Sequence, residues 1–112
     1  SLTNVLEPRG ARIEIARNGK EALDALEKSA TDPSKRIDLV LMDVMMPVMD
    51  GLTATQEIRK DERWKNLPVL MLTAKAMPDD QERCMAAGAN DYMAKPLDVD
   101  KLLSLVRVWM PR

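Results

Sequence analysis

The sequence predicts a single α/β domain in which helices cover both faces of a parallel sheet. Two near-continuous apolar runs, at residues 37–42 and 67–72, are typical of strands that are buried on both faces. Segments with the period of amphipathic helices alternate with strands along the chain, which specifies a parallel sheet with right-handed crossovers. A chain of 112 residues supports one hydrophobic core, so we assign no internal boundary.

The amino-terminal half is predicted to contain an exposed strand, a helix, a buried strand and a second helix. Residues 12–16 alternate charged and apolar, the pattern of a strand near a sheet edge with one exposed face. Asn18 and Glu21 have the spacing of a capping box and precede a helix. Residues 31–36 read as a loop, and residues 52–60 indicate the second helix.

The carboxyl-terminal half is predicted to alternate in the same way. A helix begins near Pro78 and ends before Gly88. Residues 90–94 form a short last strand, and Asp98 caps a closing helix. The inward stripe of that helix comprises Leu102, Leu103, Val106 and Met110.

Composition excludes several classes of function. Charged residues make up 31% of the chain but sum to −1, so no global field favours nucleic acid or an anionic membrane. No apolar run could span a bilayer and no signal-peptide pattern is present, so we expect a soluble, cytoplasmic chain. One cysteine, Cys84, and no histidine leave only oxygen ligands for a hard cation such as Mg²⁺. We expect Cys84 to be structural.

Three chemically different side chains follow neighbouring strands of the predicted sheet. They are the carboxylate of Asp43, the hydroxyl of Thr73 and the ammonium of Lys95. In such sheets the ligand site lies beyond the carboxyl ends of the strands, so these groups should converge. A carboxylate can attack phosphorus to form an acyl phosphate, and nearby cations and donors stabilise the transferred charge. Asp43 is therefore the predicted chemical centre, as a phosphoryl acceptor.

Three separately spaced motifs resemble the signature of two-component receiver domains, the CheY-like family. They are LMDVMMPVMDG at residues 41–51, TA at 73–74 and YMAKP at 92–96. The resemblance implies a flavodoxin-like, doubly wound parallel sheet with strand order 2-1-3-4-5. It also implies that residues 1–112 are a receiver domain, which takes a phosphoryl group from a histidine kinase or a histidine phosphotransfer protein and is not itself an enzyme.

The same resemblance implies a role for each site residue. Asp43 is the phosphoacceptor, Lys95 contacts the phosphoryl oxygens, and Thr73 with Tyr92 forms the switch. Mg²⁺ is held by Asp43 and by the backbone carbonyl of Met45. The peptide bond between Lys95 and the following proline is expected to be cis. The phosphate then biases a partner-binding surface formed by the family's fourth helix, last strand and fifth helix.

The chain departs from the family at its amino terminus. Family members begin with a strand ending in two acidic residues that complete the metal site, and this chain starts after that point, with strand 1 absent. Only residues 2–7 could represent the family's first helix. Without strand 1, the predicted sheet has a gap between the strand at residues 12–16 and the strand at residues 37–42. These two strands pair with each other, or another chain supplies a strand, or residues of the parent protein that precede this sequence fill the gap. We favour the last alternative. We therefore expect weak Mg²⁺ binding and poor phosphorylation by small donors.

The sequence leaves several alternatives open. A pseudo-receiver would be a phosphorylation-independent interaction module, which the missing acidic pair permits. A phosphatase of the aspartyl-phosphate type would need a second Asp where this chain has Met45. In a receiver, apolar Met45 predicts a long-lived acyl phosphate. The full-length protein would be either a hybrid sensor kinase, attached to a membrane, or a single-domain regulator. The sequence also leaves open whether the domain forms a homodimer.

Overall fold

The chain folds into a five-stranded sheet with four helices in a computed structural model, which describes residues 2–5, 12–43, 48–74 and 78–109. The strands are β1 (Leu2–Val5), β2 (Arg12–Ala16), β3 (Leu39–Asp43), β4 (Val69–Thr73) and β5 (Asp91–Ala94). The helices are α1 (Gly19–Thr31), α2 (Val48–Lys60), α3 (Pro78–Ala87) and α4 (Val99–Trp109), with 3-10 turns at Pro33–Lys35 and Glu62–Trp64. The strands lie in the order β1-β2-β3-β4-β5, with β2 to β5 parallel.

Two apolar clusters, one on each face of the sheet, hold the helices in place. One cluster includes Leu26 of α1, Ile58 of α2 and Cys84 of α3. The other includes Leu102 and Val106 of α4. Because β3 and β4 are covered on both faces, their apolar side chains are almost completely buried. The predicted parallel sheet, with two central strands and helices on both faces, is confirmed.

The cap of α1 lies where the sequence places it. Asn18 Oδ1 accepts the Glu21 N–H at 3.0 Å, and Glu21 Oε1 accepts the Arg17 N–H at 2.8 Å. These contacts satisfy donors at the first turn, which have no partner inside the helix. The cap therefore fixes the point at which the chain turns from β2 into α1.

Replacement of Asn18 by Ala should lower the free energy of unfolding by about 1 kcal/mol, because the Glu21 N–H loses its acceptor. Urea denaturation followed by tryptophan fluorescence measures the change. The matched control is Asp24→Ala, an exposed position in the middle of the same helix. Equal stability of Asn18→Ala and Asp24→Ala would contradict a stabilising cap.

The amino-terminal segment differs from the sequence-based expectation. Residues 2–5 were predicted to represent a helix, but they form the strand β1, which pairs antiparallel with β2. An unpaired edge of β2 would leave its N–H and C=O groups without partners, and β1 supplies them. Residues 6 and 7, the rest of that predicted helix, lie outside the described residues.

The strand β2 is also more enclosed than its alternating pattern suggests. Glu14 is only 2% exposed, so the prediction of an exposed face near a sheet edge is wrong at this residue. β1 covers the edge of β2, and α1 packs against it. β2 pairs directly with β3, ending at the pair Ala16↔Met42. Within the described residues the flanking strands β2 and β3 meet, which is the first of the three ways to close the expected gap. The alternative that we favoured, residues of the parent protein that precede this sequence, stays a prediction.

Element boundaries otherwise shift by a few residues. α2 begins at Val48, four residues earlier than predicted, and the predicted loop after α1 contains a 3-10 turn at Pro33–Lys35. The Lys95–Pro96 peptide bond is cis, as expected. Within the described part of the chain, no helix has the length and apolar character that crossing a bilayer requires.

Candidate functional site

The carboxyl ends of the parallel strands bring the predicted site residues to one edge of the sheet. β3 ends at Asp43, β4 ends at Thr73, and Lys95 directly follows β5. The register pairs Asp43 with Leu72 and places Thr73 opposite the last residue of β5. The three residues therefore lie at the same edge of the sheet, as the topology predicted.

Asp43 and Lys95 form an ion pair across this edge. Lys95 Nζ lies 2.8 Å from Asp43 Oδ1, so the lysine reaches across β4 to the strand beyond it. The Oδ1 atom is buried and has no well-aligned hydrogen bond among the described residues, so its contact with Lys95 is ionic. The Lys95 and Asp43 side chains are 32% and 27% exposed, respectively. A donor can therefore approach Asp43 from solvent, while partial desolvation strengthens the pair above a surface ion pair.

Thr73 contributes to this edge through its backbone. Its carbonyl accepts the Lys95 N–H at 2.7 Å, which ties the residue carrying the ammonium to the end of β4. The Thr73 side chain is 1% exposed, at the last position of its strand. Thr73 therefore helps to position Lys95 relative to Asp43.

Tyr92 lies on β5 and is half-buried. Its ring packs against the cluster formed with α1, α2 and α3. Its hydroxyl donates to Gln81 Oε1 at 3.2 Å, which joins β5 to the first turn of α3. Gln81 was not identified from the sequence, because an exposed polar residue in a helix carries no signal of its partner.

The described residues do not provide a complete magnesium site. They contain no group of three or more His, Cys, Asp and Glu side chains that could hold a metal ion. The strands β2, β4 and β5 end at Ala16, Thr73 and Ala94, so Asp43 is the one carboxylate at the ends of the four described parallel strands. Mg²⁺ demands octahedral oxygen coordination, and one carboxylate supplies little of it. Met45, whose carbonyl was predicted to bind Mg²⁺, lies outside the described residues.

Comparison with known proteins identifies many relatives. The family model described as "Response regulator receiver domain" matches residues 1–107. The chain is 40% identical over 106 residues to hybrid signal transduction histidine kinase M of Dictyostelium discoideum, which covers 92% of this chain and 4% of that kinase. The chain spans 39% of a transcriptional regulator, RpaA of Synechocystis, and 6% of hybrid histidine kinase I. It therefore corresponds to a fraction of each of these relatives.

Solved structures of response regulators and receiver domains are also similar to this chain. The chemotaxis response regulator CheY4 of Vibrio cholerae aligns with a TM-score of 0.72 and 31% identity, covering 91% of this chain and 80% of that one. The receiver domain of sensor histidine kinase PA1611 from Pseudomonas aeruginosa aligns with a TM-score of 0.63 and 37% identity, over 84% of this chain and 72% of that one. The latter structure has a magnesium ion coordinated in its active-site cleft.

Proposed function

The chain belongs to the response regulator receiver domain family, the phosphoacceptors of two-component signalling, and we propose that Asp43 is its phosphoacceptor. The observation that carries the proposal is the 2.8 Å contact between Lys95 Nζ and Asp43 Oδ1. An ammonium at this distance from the carboxylate is also within reach of a phosphoryl group bonded to it, where it would offset negative charge. Residues 1–112 would then form one receiver domain.

The donor that we propose is the phosphohistidine of a histidine kinase or of a histidine phosphotransfer protein. A carboxylate oxygen of Asp43 forms a bond to phosphorus while the phosphorus–nitrogen bond breaks. The imidazole nitrogen leaves with the electron pair and takes a proton from solvent, and the product is an acyl phosphate. Lys95 balances charge on the phosphoryl oxygens, and Thr73 holds the backbone of Lys95 in place.

We assign the switch to Thr73 and Tyr92. Phosphorylation adds negative charge at Asp43, which changes the position that the Lys95 ammonium favours. The Thr73 carbonyl ties Lys95 to β4, and the Tyr92 hydroxyl ties β5 to Gln81 of α3. The surface of α3, β5 and α4 is therefore the one expected to respond, and it corresponds to the family's fourth helix, last strand and fifth helix.

Uptake of a phosphoryl group tests the proposal. The chain is incubated overnight with phosphoramidate, whose phosphorus–nitrogen bond resembles that of phosphohistidine, and its intact mass is followed. The PA1611 receiver domain serves as the positive control. We expect slow uptake of one phosphoryl group that hydroxylamine removes. No uptake under conditions that saturate the control would contradict the proposal.

Lys95→Met should slow phosphoryl uptake by about 100-fold, because one charge partner of the transferred group is lost. The rate is measured from the growth of the phosphorylated mass with time. The matched control is Lys101→Met, which removes an exposed lysine on α4. Equal rates for the two variants would show that Lys95 does not take part in the transfer.

A pseudo-receiver is the second candidate, and the incomplete metal site favours it. Such a module would bind partners through the same fold without phosphorylation. A chain that stays unmodified while the control is saturated would support this function over the first.

We also propose where this receiver domain is found, both within a longer protein and within the cell. Its similarity to hybrid histidine kinases supports a place within a longer sensor protein, whose kinase activity would belong to other domains. We propose a cytoplasmic location, where the buried thiol of Cys84 would remain reduced.

A further inference from the structure

We infer that a cavity at the amino edge of the sheet binds a small planar aromatic carboxylate. The cavity has a volume of about 470 Å³ and lies among the carboxyl end of α1, the 3-10 turn Glu62–Trp64 and the segments that lead into β3 and β4. Asp38, which lines the cavity, directly precedes β3, and Asp43 ends that strand, so the two residues are roughly 16 Å apart. The cavity is therefore separate from the phosphorylation edge, and binding there does not depend on the proposed function.

The buried part of the cavity lining is apolar. Ile37 and Pro68, which lead into β3 and β4, are buried, and Leu67 and Trp64 are half-buried. Sites for small molecules are typically lined by apolar and aromatic side chains, with a few polar groups that fix the orientation of the ligand. The cavity has a suitable volume for a ligand of one or two fused rings, whereas a helix, about 10 Å across, would not enter it.

The Trp64 ring is held in place by contacts within the fold. The guanidinium carbon of Arg63 lies 4.0 Å from the centroid of the ring, a cation–π contact. The Trp64 carbonyl accepts Arg59 Nη1 at 3.0 Å and the Leu67 N–H at 3.1 Å. A planar ligand can therefore pack against an aromatic side chain that loses little conformational freedom on binding.

The polar groups that are available to a ligand at this cavity are mainly donors. The exposed side chain of Arg36 contacts Asp38 Oδ1 through Nη2 at 3.1 Å. A guanidinium carries several N–H donors in a planar fork, so this ion pair leaves some of them available. The indole N–H of Trp64 and the side-chain amide of Asn66 make no hydrogen bond to the other residues that the structure describes.

The acidic side chains that line the cavity already have partners. Asp38 Oδ2 accepts the Arg12 N–H at 2.9 Å, while its Oδ1 pairs with Arg36. The exposed carboxylate of Glu62 pairs with Lys65 at 3.2 Å. Available donors beside paired acids favour a ligand that accepts hydrogen bonds, and arginine recognises carboxylates in particular. Together with the apolar lining, these donors fit a carboxylate attached to an aromatic ring.

Titration with naphthoate, a planar carboxylate with two fused rings, tests the inference. Changes in the amide and indole NMR signals of the isotope-labelled chain locate the site, and their dependence on concentration gives the dissociation constant. Naphthamide, which has the same rings without the charge, is the matched ligand control. The variants are Arg36→Gln and Trp64→Leu, and the control variant is Lys35→Gln, which removes an exposed positive charge beside Arg36 but outside the cavity lining. The spectra also report whether each variant is folded.

We expect naphthoate to bind the wild-type chain and Lys35→Gln with a dissociation constant below about 1 mM. The largest signal changes should occur at residues 29–30, 36–38, 62–64 and 66–68, which line the cavity. Loss of the charged contact, in Arg36→Gln or with naphthamide, should weaken binding about tenfold, and Trp64→Leu should also weaken it.

Signal changes centred elsewhere on the chain would overturn the inference. Equal affinity of Arg36→Gln and the wild-type chain, or no saturation below about 10 mM naphthoate, would also overturn it. Because the titration uses no phosphoryl donor, its result is independent of the uptake experiment.

Discussion

Asp43→Asn is expected to abolish phosphoryl uptake. An amide in this position keeps the shape of the side chain and an oxygen that can face Lys95, but it lacks the anionic nucleophile, so no acyl phosphate forms. The loss should be complete within the detection limit of intact-mass measurement, at less than about 1% of wild-type uptake. Among single substitutions at this edge of the sheet, Asp43→Asn should have the largest effect on the reaction.

The matched control for this loss is Asp24→Asn, which changes an exposed aspartate on α1 and should leave uptake unchanged. Both variants should give wild-type circular dichroism spectra, since asparagine keeps the shape of the aspartate side chain at each position. Uptake by Asp43→Asn at the wild-type rate would mean that another residue accepts the phosphoryl group.

Arg59 should have the largest effect of any described polar residue on stability. It lies in the last turn of α2 and donates three hydrogen bonds to neutral acceptors. Its Nε donates to the Gly88 carbonyl at 2.8 Å, Nη1 to the Trp64 carbonyl at 3.0 Å and Nη2 to Asn90 Oδ1 at 2.8 Å. Asn90 Oδ1 also accepts the Val69 N–H at 2.9 Å. Burial lowers the pKa of the Arg59 guanidinium below its usual value.

Arg59→Met should therefore reduce the free energy of unfolding by roughly 2–4 kcal/mol, because two carbonyls and one amide lose their charged donor. The melting temperature should fall by roughly 10–15 °C for a domain of this size. Calorimetry measures both quantities, and Arg83→Met, at an exposed position on α3, is the control. A change below about 0.5 kcal/mol, typical of a surface substitution, would contradict a stabilising role for Arg59.

The position of the Arg59 side chain also helps to explain the glycine at position 88. Gly88 follows α3 with a φ of 108°, a backbone conformation that side-chain-bearing residues rarely adopt. A Cβ atom there would lie 2.6 Å from Arg59 Cγ. The sequence indicated the end of the helix at this glycine, but it gave no sign of the close approach of Arg59, which lies 29 positions away.

Much of the sheet could be predicted from local sequence. Strands β3 and β4 are covered on both faces, and their apolar runs report that burial directly. Once these strands are parallel, Asp43, Thr73 and Lys95 must come to the same edge, so the site followed from topology. The Asn18 cap was likewise predictable, because its partner is three residues away.

The remaining features depend on tertiary contacts that no local pattern contains. β1 forms because β2 has an edge to pair with, and the burial of Glu14 follows from its neighbours rather than from its own side chain. The start of α2 was missed because Gly51 has a low helix propensity, yet it lies within the helix. The partners Gln81 and Arg59 were missed because their contacts join separate elements.

Chemical identification of the acceptor is the most direct test of Asp43. Borohydride reduces the acyl phosphate of an aspartate to the alcohol, homoserine, with release of phosphate. Trypsin cleavage after Arg36 and Arg59 then releases a peptide that contains Asp38, Asp43 and Asp50. Fragmentation of this peptide should place homoserine at position 43 and leave the other two aspartates unchanged. Homoserine at position 38 or 50, or in a different peptide, would contradict the assignment of Asp43 as the phosphoacceptor.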